Sequence, residues 1–148
     1  VSQFPKPAVI CSDWDRRLRI VQVVETLEQG GLERMVVELA AAHRRAGHRS
    51  MIVCFGGRGP LAGLAEREGI RVCALGRKPG TSLRSLTALS RLFRQYKPDI
   101  VQTHGCGLHH YGAVAARLAG APVLVNTRHG TGALHASPRQ DAVFRAAL

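Results

Sequence analysis

The sequence predicts an α/β domain, a Rossmann-like doubly wound parallel sheet, on three observations. Short apolar runs of strand type alternate with segments of helical periodicity along most of the chain. Each run is nearly unbroken, as a strand is when crossover helices cover both faces of its sheet. Glycine or proline punctuates most of the joins, while no internal repeat or low-complexity linker divides the chain. At 148 residues this is one domain with room for a real core.

Residues 1–17 read as an irregular lead-in, with Pro5 and Pro7 and no periodicity, and the domain proper is expected over 18–148. Its first strand is LRIVQVVET, residues 18–26. A helix follows Gly30 and Gly31, because Leu32, Met35, Val36, Leu39, Ala40 and His43 recur at helical spacing and Gly47 is a good stop. RSMIVCF (49–55) is the second strand, GPLAGLAEREG (59–69) a short helix, and IRVCAL (70–75) the third strand. Thr81 or Ser82 can cap a helix over 83–96, with Leu86, Leu89, Phe93 and Tyr96 inward and Lys97-Pro98 ending it. DIVQT (99–103) is the fourth strand, LHHYGAVAARLAG (108–120) the fourth helix, and PVLVNT (122–127) the fifth strand. A last helix is expected to start at Pro138 with Ser137 as its cap.

In such a sheet ligands bind outside the carboxyl ends of the strands, so the informative loops are 25–31, 56–59, 76–82, 104–107 and 128–137. The first, ETLEQGG, has neither a GxGxxG fingerprint nor a Walker loop, which leaves nicotinamide and P-loop chemistry unsupported. Two readings of Gly30-Gly31 stay open. Either the backbone needs positive φ to turn, or the missing side chains let an anion approach the positive end of the helix. GGRGPLAG (56–63) is richer in glycine, yet Pro60 at a first helical turn favours a plain connection.

THGCGLHH (103–110) brings His104, Cys106, His109 and His110 close in sequence, but no second cluster has zinc-ligand spacing and no acidic ligand is near. Of this group His104 stands out, placed at a strand end; His109 and His110 lie on the helix and read as surface or packing residues. In NTRHGTG (126–132), Thr127, Arg128, His129 and Thr131 set a cation, a proton carrier and two hydroxyls among small residues. His129 there fits a general base, a hydrogen-bond donor or a polariser of developing charge, and equally a histidine that satisfies local backbone.

The formal net charge is +11, and 18 of the 21 basic residues are arginine. That balance favours anionic partners, a membrane surface or a phosphorylated ligand among them, or else a dispersed solvated surface. Aromatics are only 5% and are not interleaved with the cations, which argues against a stacking surface for nucleic acid. Cys11, Cys54, Cys73 and Cys106 form no CxxC pair and no disulfide-type spacing, so a reducing cytoplasm is the expected compartment. No apolar run approaches the ~20 residues of a membrane helix. VSQFPKPAVICSDWDRRLRI shows no signal-peptide h-region.

RIVQVVETLEQGGLERMVVELAAAHRRAGHRSMIVCF resembles the opening of glycosyltransferases of the GT-B fold, in particular the large retaining family four (group 1 type). Gly30, Gly31, Glu33 and Arg34 stand for that family's Gly-Gly-x-Glu-Arg segment, and Gly47-His48 for its turn into the second strand. GPLAGLAEREGIRVCAL, KPDIVQTHG and PVLVNTRHGTG continue the likeness in order, from about Leu18 to Gly132.

The resemblance implies an N-terminal, acceptor-side half of a two-domain enzyme that moves a sugar from a nucleotide-sugar to an acceptor with retention. On this footing Gly30 and Gly31 approach the donor's diphosphate or sugar, His129 stands beside the transferred sugar, and His104 and Arg128 line the acceptor side. The family's nucleotide-sugar domain, with its Glu-x₇-Glu motif, is absent from residues 18–148. Glu25 and Glu33 share that spacing but flank the glycine turn, and are taken as coincidence. The expectation is therefore a hexosyltransferase-type half-enzyme, inactive alone and in need of a C-terminal donor-binding domain. It would use the nucleotide-sugar as a substrate, with no cofactor and no metal. The expected acceptor is a sugar or lipid-linked glycan of a bacterial cell envelope, met at the inner face of an anionic membrane, with no nucleic-acid partner. The alternative is a stand-alone Rossmann-like module that binds an anion or nucleotide without catalysis.

Overall fold

The computed structural model describes residues 16–76 and 83–128. Strand and helix alternate throughout: β1 (Arg19–Val24), α1 (Gly31–Arg45), β2 (Arg49–Cys54), α2 (Ala62–Arg67), β3 (Arg71–Ala74), α3 (Leu83–Tyr96), β4 (Ile100–His104), α4 (Cys106–Ala119) and β5 (Val123–Thr127). The sheet has the order β3-β2-β1-β4-β5, and every described pairing is parallel. β1 therefore lies at the centre, in register with Arg49 of β2 opposite Arg19 and Ile100 of β4 opposite Ile20.

The unbroken apolar runs are explained by two cores, one on each face. Val24, Ile52, Cys54 and Val72 point to the face covered by α1 and α2, where Val36, Val37, Ala40 and Ala65 meet them. Their neighbours in sequence, Val21, Val23, Met51, Val53 and Val101, point to the other face and pack with Leu89 and Phe93 of α3 and Leu108 and Tyr111 of α4. Strand side chains alternate between faces, so both parities must be apolar when helices lie on both sides.

Helix ends follow local chemistry. α1 carries Glu33 in its first turn and His43, Arg44 and Arg45 in its last, signs that suit the helix dipole. It stops where Gly47 turns to φ 88° and the His48 N–H reaches back to the His43 carbonyl. α4 ends the same way at Gly120 (φ 72°), with the Ala121 N–H on the Ala116 carbonyl.

At the amino ends of the strands, Asp99 fastens β4 to β1. Its carboxylate accepts from the Arg19 backbone N–H at 2.8 Å, from Arg19 Nε at 3.2 Å and from Arg16 Nη2 at 3.0 Å. The Asp99 N–H in turn donates to the Arg19 carbonyl at 2.8 Å. The Arg19 hydrogen bonds hold the carboxyl below its ordinary range, against the opposing effect of burial.

Sequence and structure differ at a few boundaries. β4 runs on through His104, and α4 starts at Cys106 rather than at 108, so a single residue joins strand to helix. Gly105 makes that possible with φ 91°, a conformation that L side chains rarely adopt. The short second helix shrinks to Ala62–Arg67. The caps expected at Thr81 or Ser82, and the helix expected from Pro138, lie outside the described residues. Among the described residues no helix is long and apolar enough to cross a membrane.

The clamp predicts a pH-linked stability. Asp99→Ala should lower the unfolding free energy by about 2 kcal/mol at neutral pH, read from urea denaturation. Because the folded pKa is depressed, the stabilisation is present above the ordinary carboxyl range near ~4 and fades as pH falls below it. The wild-type and Asp99→Ala curves should therefore converge in acid, and a constant gap down to the acid limit would show that the carboxylate is not the source.

Candidate functional site

The strand order reverses direction at β1: β2 and β3 continue to one side, β4 and β5 to the other. Sheets of this type take ligands at such a switch point, outside the carboxyl ends of the strands, and a helix starts there on each face of the sheet, α1 after β1 and α4 after β4. Neither helix has a side-chain cap on its first N–H groups, and each has glycine at its N-cap, Gly30 and Gly105. Unpaired N–H groups and the positive dipole ends thus gather at the switch point.

Gly30 is extended, with φ −144° and ψ 166°, and Gly31 is the first helical residue; neither adopts positive φ. The turn therefore does not require glycine on conformational grounds. A Cβ on Gly31 would meet nothing within 4 Å, so the space before the helix is open. A Cβ on Gly30 would run into the carboxylate of Glu33, which folds back over it. Glu33 is half-buried and Arg34 is exposed beside it, so four predicted residues (Gly30, Gly31, Glu33 and Arg34) share this helix end.

The second glycine-rich loop behaves in the opposite way. Gly59 has φ 68°, and a Cβ there would overlap the Leu27–Glu28 peptide. Glycine is needed at this position so that the loop after β2 can pack on the loop after β1, which is a structural duty.

His104 lies at the end of β4 as predicted, but it is only 4% exposed. Its Nε2–H donates to Gln22 Oε1 at 2.7 Å, Gln22 Nε2 donates to Gln102 Oε1 at 3.1 Å, and Gln102 Nε2 donates to Thr127 Oγ1 at 2.8 Å. This chain of amides crosses β4, β1 and β5 on one face and sets the rotamer of His104. The ring is held in place at the end of β4 rather than open to solvent.

On the other face, Asn126 Nδ2 donates to Thr103 Oγ1 at 2.8 Å and to the Gly105 carbonyl at 3.2 Å. Thr103 Oγ1 also lies 3.0 Å from Nδ1 of fully buried His109, whose pKa is lowered by burial and then by His110. His109 is thus a packing residue, and His110 stacks on Tyr111 with ring centroids 4.3 Å apart. His104 and His109 sit on opposite faces of the sheet, which removes any shared metal between them. Among the described residues no group of three or more His, Cys, Asp or Glu could hold a metal ion. Burial pushes the Cys54 thiol up to about 12, so it is no nucleophile at neutral pH.

Arg128 is exposed directly after β5, at the carboxyl end of the strand. His129 lies outside the described residues. Sequence reasoning passed over Gln22, Gln102, Thr103 and Asn126, although a signal existed: each is a polar residue inside an otherwise apolar strand run. A buried amide needs partners, and in a parallel sheet the partner is the same-face residue of the next strand.

With this geometry in view, the family described as Glycosyltransferase Family 4 matches residues 29–148. A stretch of 48 residues, 32% of this chain and 12% of the relative, is 46% identical to an Escherichia coli UDP-Gal:alpha-D-GlcNAc-diphosphoundecaprenol alpha-1,3-galactosyltransferase. Among solved structures, Anabaena HepE in complex with UDP and glucose superposes with TM-score 0.71 at 20% identity, over 88% of this chain and 35% of that one. A glycosyltransferase from Rickettsia africae superposes with TM-score 0.63 at 23% identity, over 74% of this chain and 29% of that one. The chain thus spans about a third of the solved structures it matches.

Two alanine substitutions separate the glycines by role. Gly31→Ala should raise stability by about 0.4–1 kcal/mol, since helical φ and open space suit a Cβ. Gly59→Ala should lower it by about 2 kcal/mol or more. Thermal melts of both variants check the pair, and a destabilised Gly31→Ala would mean that the turn itself needs the glycine.

Proposed function

The chain belongs to Glycosyltransferase Family 4, and on that footing we propose that it forms the acceptor-side half of a retaining transferase. The donor is a nucleotide-sugar, and the acceptor is a sugar carried on a lipid diphosphate. The observation that carries this reading is the uncapped start of α1, where Gly31 leaves open space although the backbone does not require glycine.

As the bond from the donor's anomeric carbon to its diphosphate breaks, negative charge grows on the leaving phosphate. N–H groups already oriented along a helix axis stabilise that charge without reorganising. In this proposal Gly30 and Gly31 keep the approach clear, and the arriving anion repels the Glu33 carboxylate from its place over Gly30. Glu33 then serves as a hydrogen-bond acceptor for sugar hydroxyls, while Arg34 adds positive charge at the same helix end. His129 stands beside the transferred sugar, and Arg128 balances charge on the acceptor side. His104 acts through position, held by Gln22 on the cleft floor.

The UDP and glucose bound by HepE support a uridine diphosphate donor, and the E. coli relative's undecaprenyl diphosphate substrate supports a polyprenyl diphosphate acceptor. A second domain supplies the opposite wall for the nucleotide, since one wall alone cannot align donor and acceptor. Transfer then takes place in the cytoplasm at the inner face of a bacterial membrane, with the protein in peripheral contact with anionic lipid.

The test is transfer from UDP-sugars to a polyprenyl diphosphate sugar, using the protein together with a donor-binding domain. Gly31→Ala is expected to lower kcat/KM about 100-fold while the fold is kept. His129→Ala should lower kcat about 100-fold or more. Full activity in Gly31→Ala would return that glycine to a neutral turn, and full activity in His129→Ala would remove the histidine from the reaction.

A further inference from the structure

The hydrogen bonds from His104 to Thr127 follow a path that returns almost to its start. From His104 on β4 it crosses to Gln22 on β1 at 2.7 Å, comes back to Gln102 on β4 at 3.1 Å, and goes out to Thr127 on β5 at 2.8 Å. Gln22 and Gln102 are register partners on β1 and β4, and His104 and Thr127 are register partners on β4 and β5. Neighbouring strands lie ~4.8 Å apart, so the two ends of the path stand side by side at the carboxyl edge of the sheet.

An amide passes hydrogen-bond polarity along. Its oxygen only accepts and its nitrogen only donates, so a glutamine that receives a bond on one side gives one on the other. Gln22 is fully buried, so no bulk water stands in for its partners. Two such amides in series oblige the end groups to take opposite roles. When the His104 Nε2–H donates into the path, Thr127 Oγ1 accepts at the far end and its own hydrogen points elsewhere. The same distances serve the reverse order. The Thr127 hydroxyl then donates to Gln102, Gln102 to Gln22 and Gln22 to His104 Nε2, and the proton of the neutral ring is on Nδ1. The number of protons is the same in both orders.

We propose that Gln22 and Gln102 are positioning residues that couple the tautomer of His104 to the direction of the Thr127 hydroxyl, so that one end always donates into the path while the other accepts. Whatever meets the outer sides of this pair meets the complement, one donor and one acceptor, which exchange places only together. Two neighbouring hydroxyls of a sugar match either order, since each can donate or accept. A phosphate or carboxylate, which only accepts, matches one end alone. Use of the pair by a sugar rests on the transferase reading given above. The coupling itself does not, and its test needs no sugar.

The experiment is NMR of the full chain at pH ~8, where histidine is neutral and carboxylates are ionised. The nitrogen-15 shifts of the His104 ring, assigned by their loss in His104→Gln, report the tautomer. A slowly exchanging hydroxyl proton, assigned by its loss in Thr127→Val, reports Thr127 donating inward. In the unsubstituted protein the fraction of His104 protonated on Nε2 and the fraction of Thr127 donating inward should add to about one. In Gln102→Glu the carboxylate accepts from both sides, so both ends should donate: His104 carries its proton on Nε2 and Thr127 shows the slow hydroxyl. Gln22→Glu should give the same two signals. Gln22→Met should cut the path, so that adding Gln102→Glu leaves the His104 tautomer unchanged. Melting curves confirm that each variant is folded. Both ends donating or both accepting in the unsubstituted protein would overturn the proposal. So would an end that still accepts in Gln102→Glu, or a response of His104 to Gln102→Glu that survives Gln22→Met. No donor or acceptor sugar is bound in these measurements, so a failed transfer assay leaves the coupling standing.

Discussion

The cleft end of this domain depends on β1 being held on both edges and both faces. β2 and β4 flank it in parallel, and Val21, Val23 and Val24 are fully buried in the two cores. Asp99 pins its amino end to β4, so the strand can neither slide nor tilt without breaking a charged hydrogen bond. The chain that leaves β1 enters α1 at a fixed place and direction. The first N–H groups of that helix are therefore placed by β1 and by the short loop after it, which packs on the loop after β2 at Gly59. For anions in general, a helix start works by preorganisation more than by particular side chains.

Most of the fold was legible because the period of the apolar pattern changes cleanly from one element to the next. RIVQVV and SMIVC read as strands buried on both sides, and the stripe of α1 was placed to within a residue: Val36 and Ala40 are buried as expected, while Val37 and Ala41 join them and Leu32, Met35, Leu39 and His43 are only partly covered. The failures share a cause. Gly105 looked like part of a loop, but a single residue at positive φ replaces the loop, and the helix starts two residues early. Sequence spacing cannot show which glycines have positive φ. It left Gly30-Gly31 open between a turn and a ligand approach and read 56–63 as a plain connection, whereas the backbone demands glycine at Gly59 and not at Gly30 or Gly31.

At the site, legibility followed distance along the chain. Gly30, Gly31, Glu33 and Arg34 are neighbours in sequence and remain neighbours in space. Gln22, Gln102 and Thr127 are brought together only by strand order, with separations of 80 and 25 residues in their hydrogen bonds. A polar residue in an apolar strand announces that a partner exists, but the partner's identity waits on the register. His104 shows the same limit, since its place at a strand end was readable and its burial against Gln22 was not.

The amide chain from His104 through Gln22 and Gln102 to Thr127 has a consequence for how such a domain diversifies. It links the turn after β4 to the turn after β5 through the central strand, and each amide fixes the orientation of the next. Changes in the two turns are therefore not independent, and their effects on the cleft should combine non-additively. A lineage altering one turn would carry the other with it, or would first have to cut the link at a glutamine. The polar residues that interrupt the two central strands thus restrict which pairs of loops can vary together.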